Sequence, residues 1–392
     1  MRRGASALSD RGLPNLMPEI FETVLTMAQG RTSHRFHLAI HYGSWKKLFN
    51  MLLIEAQLTL GLTKVRGYPF EWEIDTTNIC QLKCPLCHTG LDNINRMKGT
   101  MHFDTFKKTI DEIKDTVLWL SLYSWGEPLL NKQLPRFIRY ARQSNIPTII
   151  STNLSLKLTP EKVEGLIKSG LDVMIISLDG VTQEVYEKYR VRGKLDLVLE
   201  NIRLIIEKKR ELKSSTPFLE WQFIVMKQNE HQIPEARQMA KDMGVDQIIF
   251  KRVDFPHGIG TEEMAQKWLP VKTAEFRRES PLSKPYHENG PKCWKLWRSG
   301  VINWDGGYAP CCYLTDAKHD FGNVNDNTIK EIWNNTQYRT ARNLFMSGKM
   351  PRVEVGCLTC DVYLESPNGR KHSGAILQMF RRDKKEEAKV GK

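Results

Sequence analysis

No stretch of 18 or more apolar residues occurs in this sequence, so no transmembrane helix is expected. Its start, Met1-Arg2-Arg3, lacks the apolar segment of a secretory signal, and the expected location is the cytoplasm. No internal repeat or low-complexity block is visible. Acid is in short supply: 45 Asp and Glu stand against 58 Lys and Arg, a formal net charge of +13. Such a balance suits nucleic acid, an anionic membrane surface or a negatively charged substrate. Part of the excess is terminal, because Arg370, Lys371, Arg381, Arg382, Lys384, Lys385, Lys389 and Lys392 crowd the last residues. That run reads as a solvated tail, so no nucleic-acid partner is expected. Cysteine is scarce as well. Its eight residues fall into two groups, and a cytosolic chain of 392 residues needs no disulfides for stability. Tight grouping argues for metal.

Residues 1–69 form a preamble. Within it Ser44–Leu62 reads as an amphipathic helix. Packing on the main domain is the plain reading; a substrate cover, a dimer contact or a membrane-surface helix are the sharper ones. From Phe70 the chain alternates strand and helix, with strands expected at 71–76, 117–123, 147–152, 172–178, 218–226 and 247–253. Several are nearly all apolar, as in a parallel sheet covered by helices. The fold class is therefore α/β, a partial (β/α)6 TIM-like barrel over residues 70–270. Chemistry in such barrels gathers at the carboxyl ends of the strands. After Pro270 the elements shorten, and residues 271–370 read as a small metal-stapled domain before the basic tail 371–392.

Cys80-Gln-Leu-Lys-Cys84-Pro-Leu-Cys87 lies just past the first strand. A closed zinc site takes four protein ligands. A four-iron cluster held by three cysteines keeps one iron for an outside ligand. The competing reading is zinc with His88 as fourth ligand, although His88 directly follows Cys87 and one residue would have to fold back on the next.

This pattern resembles the radical S-adenosylmethionine (SAM) superfamily, whose signature is CxxxCxxC after the first strand of a partial barrel. The resemblance implies a SAM-binding [4Fe–4S] cluster on Cys80, Cys84 and Cys87. The open iron would bind the amino and carboxylate groups of SAM, and reductive cleavage would yield a 5′-deoxyadenosyl radical. Leu86 stands where many members have an aromatic residue beside the adenine, and Trp125 where a glycine is common. Gly126-Glu127-Pro128 resembles the motif that binds the SAM amino group, with Glu127 as its ligand. By the same resemblance Asn153 and Ser177, at the ends of the third and fourth strands, lie near the ribose or carboxylate. Asp179 is either a further SAM contact or the cap of the following helix. Arg190 would hold the SAM carboxylate by paired hydrogen bonds or else close a helix end.

Cys293, Cys311, Cys357 and Cys360 supply four thiolates and hence a closed site, either zinc or a fully ligated cluster. The spacing C-x12-G-x4-C…C-x2-C resembles the SPASM domain attached to many radical SAM enzymes. It implies one auxiliary [4Fe–4S] cluster on those four residues. Gly307-x4-Cys312 would also fit, and Cys311 is preferred because Asp305-Gly306 looks like the turn. The spare thiol, Cys312, is either a small buried residue or a hydrogen-atom donor to a substrate radical.

The first functional reading is radical oxidation or epimerisation of a small polar substrate such as a sugar, aminoglycoside or nucleoside. A flavodoxin or ferredoxin-type protein would be the reductant, and Gln222 and Arg252 either meet hydroxyl or phosphate groups of the substrate or are plain polar surface residues. The second is a maturase of a ribosomally made peptide, placed lower because residues 1–69 look too helical and short for a peptide-binding domain. A non-enzymatic zinc protein that binds nucleic acid is the third. Iron content separates the third from the first two: anaerobically purified protein is expected to be brown and to hold about eight irons per chain, whereas colourless protein holding zinc would favour the third.

Overall fold

The computed structural model describes residues 32–255, 260–276, 293–347, 353–364 and 366–372. The basic tail beyond residue 372 and the first 31 residues therefore lie outside the described residues. Helices α1 (Thr32–His41) and α2 (Trp45–Thr59) come first. Ser44 starts α2 by accepting from the Lys47 N–H, so the helix begins where the expected one does. Six strand–helix units follow: β1 (Glu71–Ile74) and α3 (Phe103–Ile113), β2 (Trp119–Ser121) and α4 (Leu134–Gln143), β3 (Thr148–Thr152) and α5 (Pro160–Lys168). Then come β4 (Val173–Ser177) with α6 (Gln183–Tyr189) and α7 (Leu195–Glu211), β5 (Phe218–Val225) with α8 (Ile233–Met243), and β6 (Gln247–Arg252) with α9 (Glu262–Trp268).

All six strands are parallel, in the order β6-β5-β4-β3-β2-β1. Apolar side chains such as Ile150, Ile176, Trp221 and Phe223 are fully buried between sheet and helices. This is the partial barrel that the alternation implies. The sheet does not stop at β1, however. Strand β7 (Ser299–Ile302), from the second cysteine region, pairs parallel to β1 with Glu71 opposite Ser299 and Ile74 opposite Ile302. Strand β8 (Tyr308–Ala309) folds back antiparallel on β7. Helices α10 (Ile329–Trp333) and α11 (Thr336–Ser347) complete that region. The carboxy-terminal part is thus joined to the barrel through main-chain hydrogen bonds, which cover an otherwise open edge.

Alternation along β1 sends Trp72 and Ile74 to one side and Glu71, Glu73 and Asp75 to the other, the barrel interior. Glu71 and Glu73 lie deep in the protein yet keep some accessible surface, as residues facing an open lumen do. Burial raises the pKa of both, with Lys295 and Arg35 acting against it.

A second tie fixes the two regions. The segment after the first cysteine group carries Arg96, whose side chain is 2% exposed. Its Nη1 donates to both carboxylate oxygens of Asp305 (2.7 and 2.6 Å), and its Nη2 to both of Asp320 (2.7 and 2.8 Å). Trp304 donates its indole N–H to the Met97 carbonyl at 2.9 Å. Only a planar fork can serve two carboxylates in this way. Replacing Arg96 by methionine leaves two half-buried carboxylates without a counter-charge. R96M is expected to lose about 3–5 kcal/mol of stability in anaerobic denaturant unfolding, and R96K to restore only part of it.

Candidate active site

The loop after β1 carries Cys80, Cys84 and Cys87 across the carboxyl end of the barrel. Main-chain bonds hold it: the Lys83 N–H donates to the Val191 carbonyl (3.1 Å) and the Glu127 N–H to the Ile79 carbonyl (2.9 Å). Gly90 is required because a Cβ there would run into the main chain of Cys84. Beneath the thiols Leu82, Leu86, Tyr189, Met226, Val253, Phe255 and Trp268 form an apolar bed. Leu86 therefore serves packing.

The thiols are close together: Cys84 and Cys87 both make Cys80 harder to ionise, and Cys87 does the same to Cys84. Burial pushes Cys80 up to about 12 and Cys84 up to about 11. Donors converge on the sulfurs nonetheless. The Leu82 N–H and, at 3.8 Å, the Asn153 amide address Cys80. The Arg190 guanidinium stands 3.9 Å from Cys84. Thiols in a dry bed, with N–H groups aimed at their sulfurs, suit an iron–sulfur cluster, which ionises its ligands and takes hydrogen bonds at them. The His88 ring is held elsewhere, by Asn93 at 2.9 Å and edge-on against Trp125 at 4.9 Å.

Gly126 passes so close to Thr77 that any Cβ would strike its carbonyl. Glu127 is buried, and its carboxylate accepts from Thr152 (2.7 Å) and from the N–H groups of Asn153 (2.8 Å) and Leu129 (3.1 Å). It joins the ends of β2 and β3 and keeps lone-pair capacity for a further donor. Pro128 begins the short turn that follows. Ser177 lies 3.3 Å from Ser151 at the strand ends.

Two expectations need correction. Asp179 caps no helix, since Thr182 stands at the N-cap of α6. Nor does the Asp179 carboxylate turn to the cavity. It is fully buried, takes the Arg190 Nε–H at 2.6 Å and accepts the Ile224 N–H. It holds the Arg190 side chain, and Arg190 also ends α6. Arg252 shares the outer face of β6 with Phe250, is exposed, and donates to the Glu275 carbonyl. The neighbouring Lys251 takes the interior side, opposite Ile224 and next along from Gln222.

In the second group Cys357 is fully enclosed, and Cys311, Cys360 and Cys293 all bear on its charge. Burial pushes Cys293 up to about 12 and Cys311 up to about 11. The Leu296 N–H serves Cys293, and those of Tyr313 and Leu314 serve Cys311. Cys312 points the other way. Its sulfur takes Lys295 Nζ at 3.4 Å and lies near Glu73, which accepts from Ser124. Among the described residues no three His, Cys, Asp or Glu side chains are grouped closely enough for a single metal ion. A cluster, whose thiolates bind separate irons, does not need them to be.

Trp125 connects the two groups: its ring packs on His88 and its indole N–H donates to the Cys312 carbonyl at 3.0 Å. Residue spacing does not mark this bridge, nor does it bring Glu73, Ser124 and Lys295 together. The acidic alternation in β1 was the one available signal.

A family model described as the radical SAM superfamily matches residues 74–220, and one described as an iron–sulfur cluster-binding domain, SPASM, matches residues 293–361. The tungsten-containing aldehyde ferredoxin oxidoreductase cofactor-modifying protein of Pyrococcus furiosus is 22% identical over 300 residues, 68% of this chain and 81% of that one. The PqqA peptide cyclase of Gluconobacter oxydans is 24% identical over 285 residues, 68% of this chain and 76% of that one. The crystal structure of Streptococcus suis SuiB bound to S-adenosylmethionine superposes with a TM-score of 0.58 at 17% identity, covering 82% of this chain and 80% of that one. SuiB bound to its precursor peptide SuiA superposes at 0.54, with 16% identity and coverage of 81% and 74%.

The two orientations at 311 and 312 set the ligand test. C311A is expected to lower iron by about four per chain, and C312A to leave it unchanged. The reverse result would exchange their roles.

Proposed function

The chain belongs to the radical SAM superfamily and carries a SPASM domain, and on that footing we propose that it modifies a peptide by hydrogen-atom abstraction. Its cofactors are SAM, a SAM-binding [4Fe–4S] cluster and auxiliary iron–sulfur binding. The observation that carries the peptide reading is similarity over about two thirds of the chain to a named peptide cyclase. The fold shared with a peptide-bound enzyme supports it. It replaces the small polar substrate expected from the sequence, and family membership sets aside the zinc-protein reading.

When bound, the first cluster supplies the electron that splits SAM into methionine and a 5′-deoxyadenosyl radical. In this reading Cys80, Cys84 and Cys87 would hold that cluster. Arg190, aimed by Asp179, stands beside Cys84 to meet the SAM carboxylate. Glu127, Asn153 and Ser177 line the same end of the barrel, and Gly126 lets the Glu127 loop pass tightly against Thr77. Cys293, Cys311, Cys357 and Cys360 hold one auxiliary cluster. Cys312, Glu73, Ser124 and Lys295 form the wall that the substrate meets. Cys312 donates its hydrogen atom to the substrate carbon radical, leaving a thiyl. A flavodoxin or ferredoxin-type protein restores the thiol with one electron, and a proton follows.

The test is anaerobic reconstitution with SAM and a reductant. 5′-Deoxyadenosine is expected from the wild type and not from C84A. Deuterated peptides that pass deuterium into it would identify the substrate, and transfer from deuterated sugars alone would overturn the peptide reading. With a peptide in hand, C312A is expected to keep deuterium transfer and lose product; unchanged turnover would end the donor role.

A further inference from the structure

Helix α2 is apolar on two faces. Met51, Ile54 and Leu58 are buried in the core. Trp45, Leu48, Phe49 and Leu52 recur at i, i+3, i+4 and i+7 and so form a second stripe. That stripe is exposed, Trp45 by 76% and Phe49 by 62%. Ile40 in α1, and Leu60 and Leu62 just beyond α2, continue the run. Seven of the thirteen large hydrophobics exposed among the described residues fall between Ile40 and Leu62. Scattered apolar residues need no explanation, but a stripe along one helix marks a contact surface.

The helix is already rigid. Asn50 exchanges two 2.8 Å hydrogen bonds with the Tyr68 main chain, Glu55 pairs with Arg298, and Lys47 donates to the Asn145 carbonyl at 2.6 Å. The stripe is thus presented without any ordering cost on contact. Cations accompany it. Lys46 is about half exposed beside Trp45, paired at 3.2 Å with exposed Asp115. Lys64 and Arg66 are exposed on the segment that bonds back to Gln57.

Tryptophan, phenylalanine and leucine on one face with lysine and arginine beside it is the composition of a helix lying in a membrane interface. Protein interfaces, by contrast, are depleted in lysine. No described helix is long and apolar enough to cross a membrane, so the contact is a superficial one.

We propose that this face seats the enzyme on an anionic membrane surface, with α2 in the plane of the headgroups and Trp45, Leu48, Phe49 and Leu52 reaching the acyl boundary. Lys46, Lys64 and Arg66 then meet lipid phosphates, so attachment weakens with salt. The seat is independent of the substrate and of the radical step.

The experiment is flotation of the full-length protein, anaerobically reconstituted, with phosphatidylcholine vesicles containing or lacking phosphatidylglycerol. Binding to the anionic vesicles only is expected, reduced by added salt. The exposed double variant W45S/F49S should keep its iron and its SAM cleavage while losing about a hundredfold or more in vesicle affinity. Equal binding to neutral vesicles, or undiminished binding by W45S/F49S, would overturn the proposal. So would absence of vesicle binding, including a wild-type dimer that the double variant dissolves, which would assign the face to a second copy of this chain.

Discussion

One buried guanidinium holds the relative placement of the two cysteine groups. Arg96 leaves the loop that follows the first group and is gripped by Asp305 and Asp320 of the second region. A buried charge is tolerable only when fully paired, and two facing carboxylates are tolerable only with a cation between them. Each side therefore makes the other affordable. The strand pairing of β7 with β1 acts in the same direction, and Trp125 closes the gap from above.

Much of this was legible in the sequence. The alternation of apolar strands and helices gave the six units almost element for element, because parallel strands buried on both faces leave a strong signal. The cysteine spacing disclosed two groups of three and four thiols, since ligand geometry constrains spacing directly. The choice between Cys311 and Cys312 was legible only as a preference, because neighbours in an extended segment point opposite ways and spacing fits either.

What was not legible depends on long-range partners. Nothing in Ser299–Ile302 announces that it pairs with a strand more than two hundred residues earlier. Asp179 looks like any aspartate ahead of a helix until Arg190 folds back to it. Arg252 and Lys251 differ only in which way the pleat turns them, and a one-residue slip in register reverses the answer. The acid at Glu73 was visible, but its neighbours Ser124, Lys295 and Cys312 arrive from separate parts of the chain.

The adjoining of β7 to β1 also bears on what can be taken apart. The cysteine-rich portion cannot be treated as an accessory that a shortened enzyme might shed. Its first strand occupies the hydrogen-bonding groups on one flank of the catalytic barrel. Without it that flank would offer a bare ladder to any passing strand, and the molecule would be exposed to self-association through its own sheet.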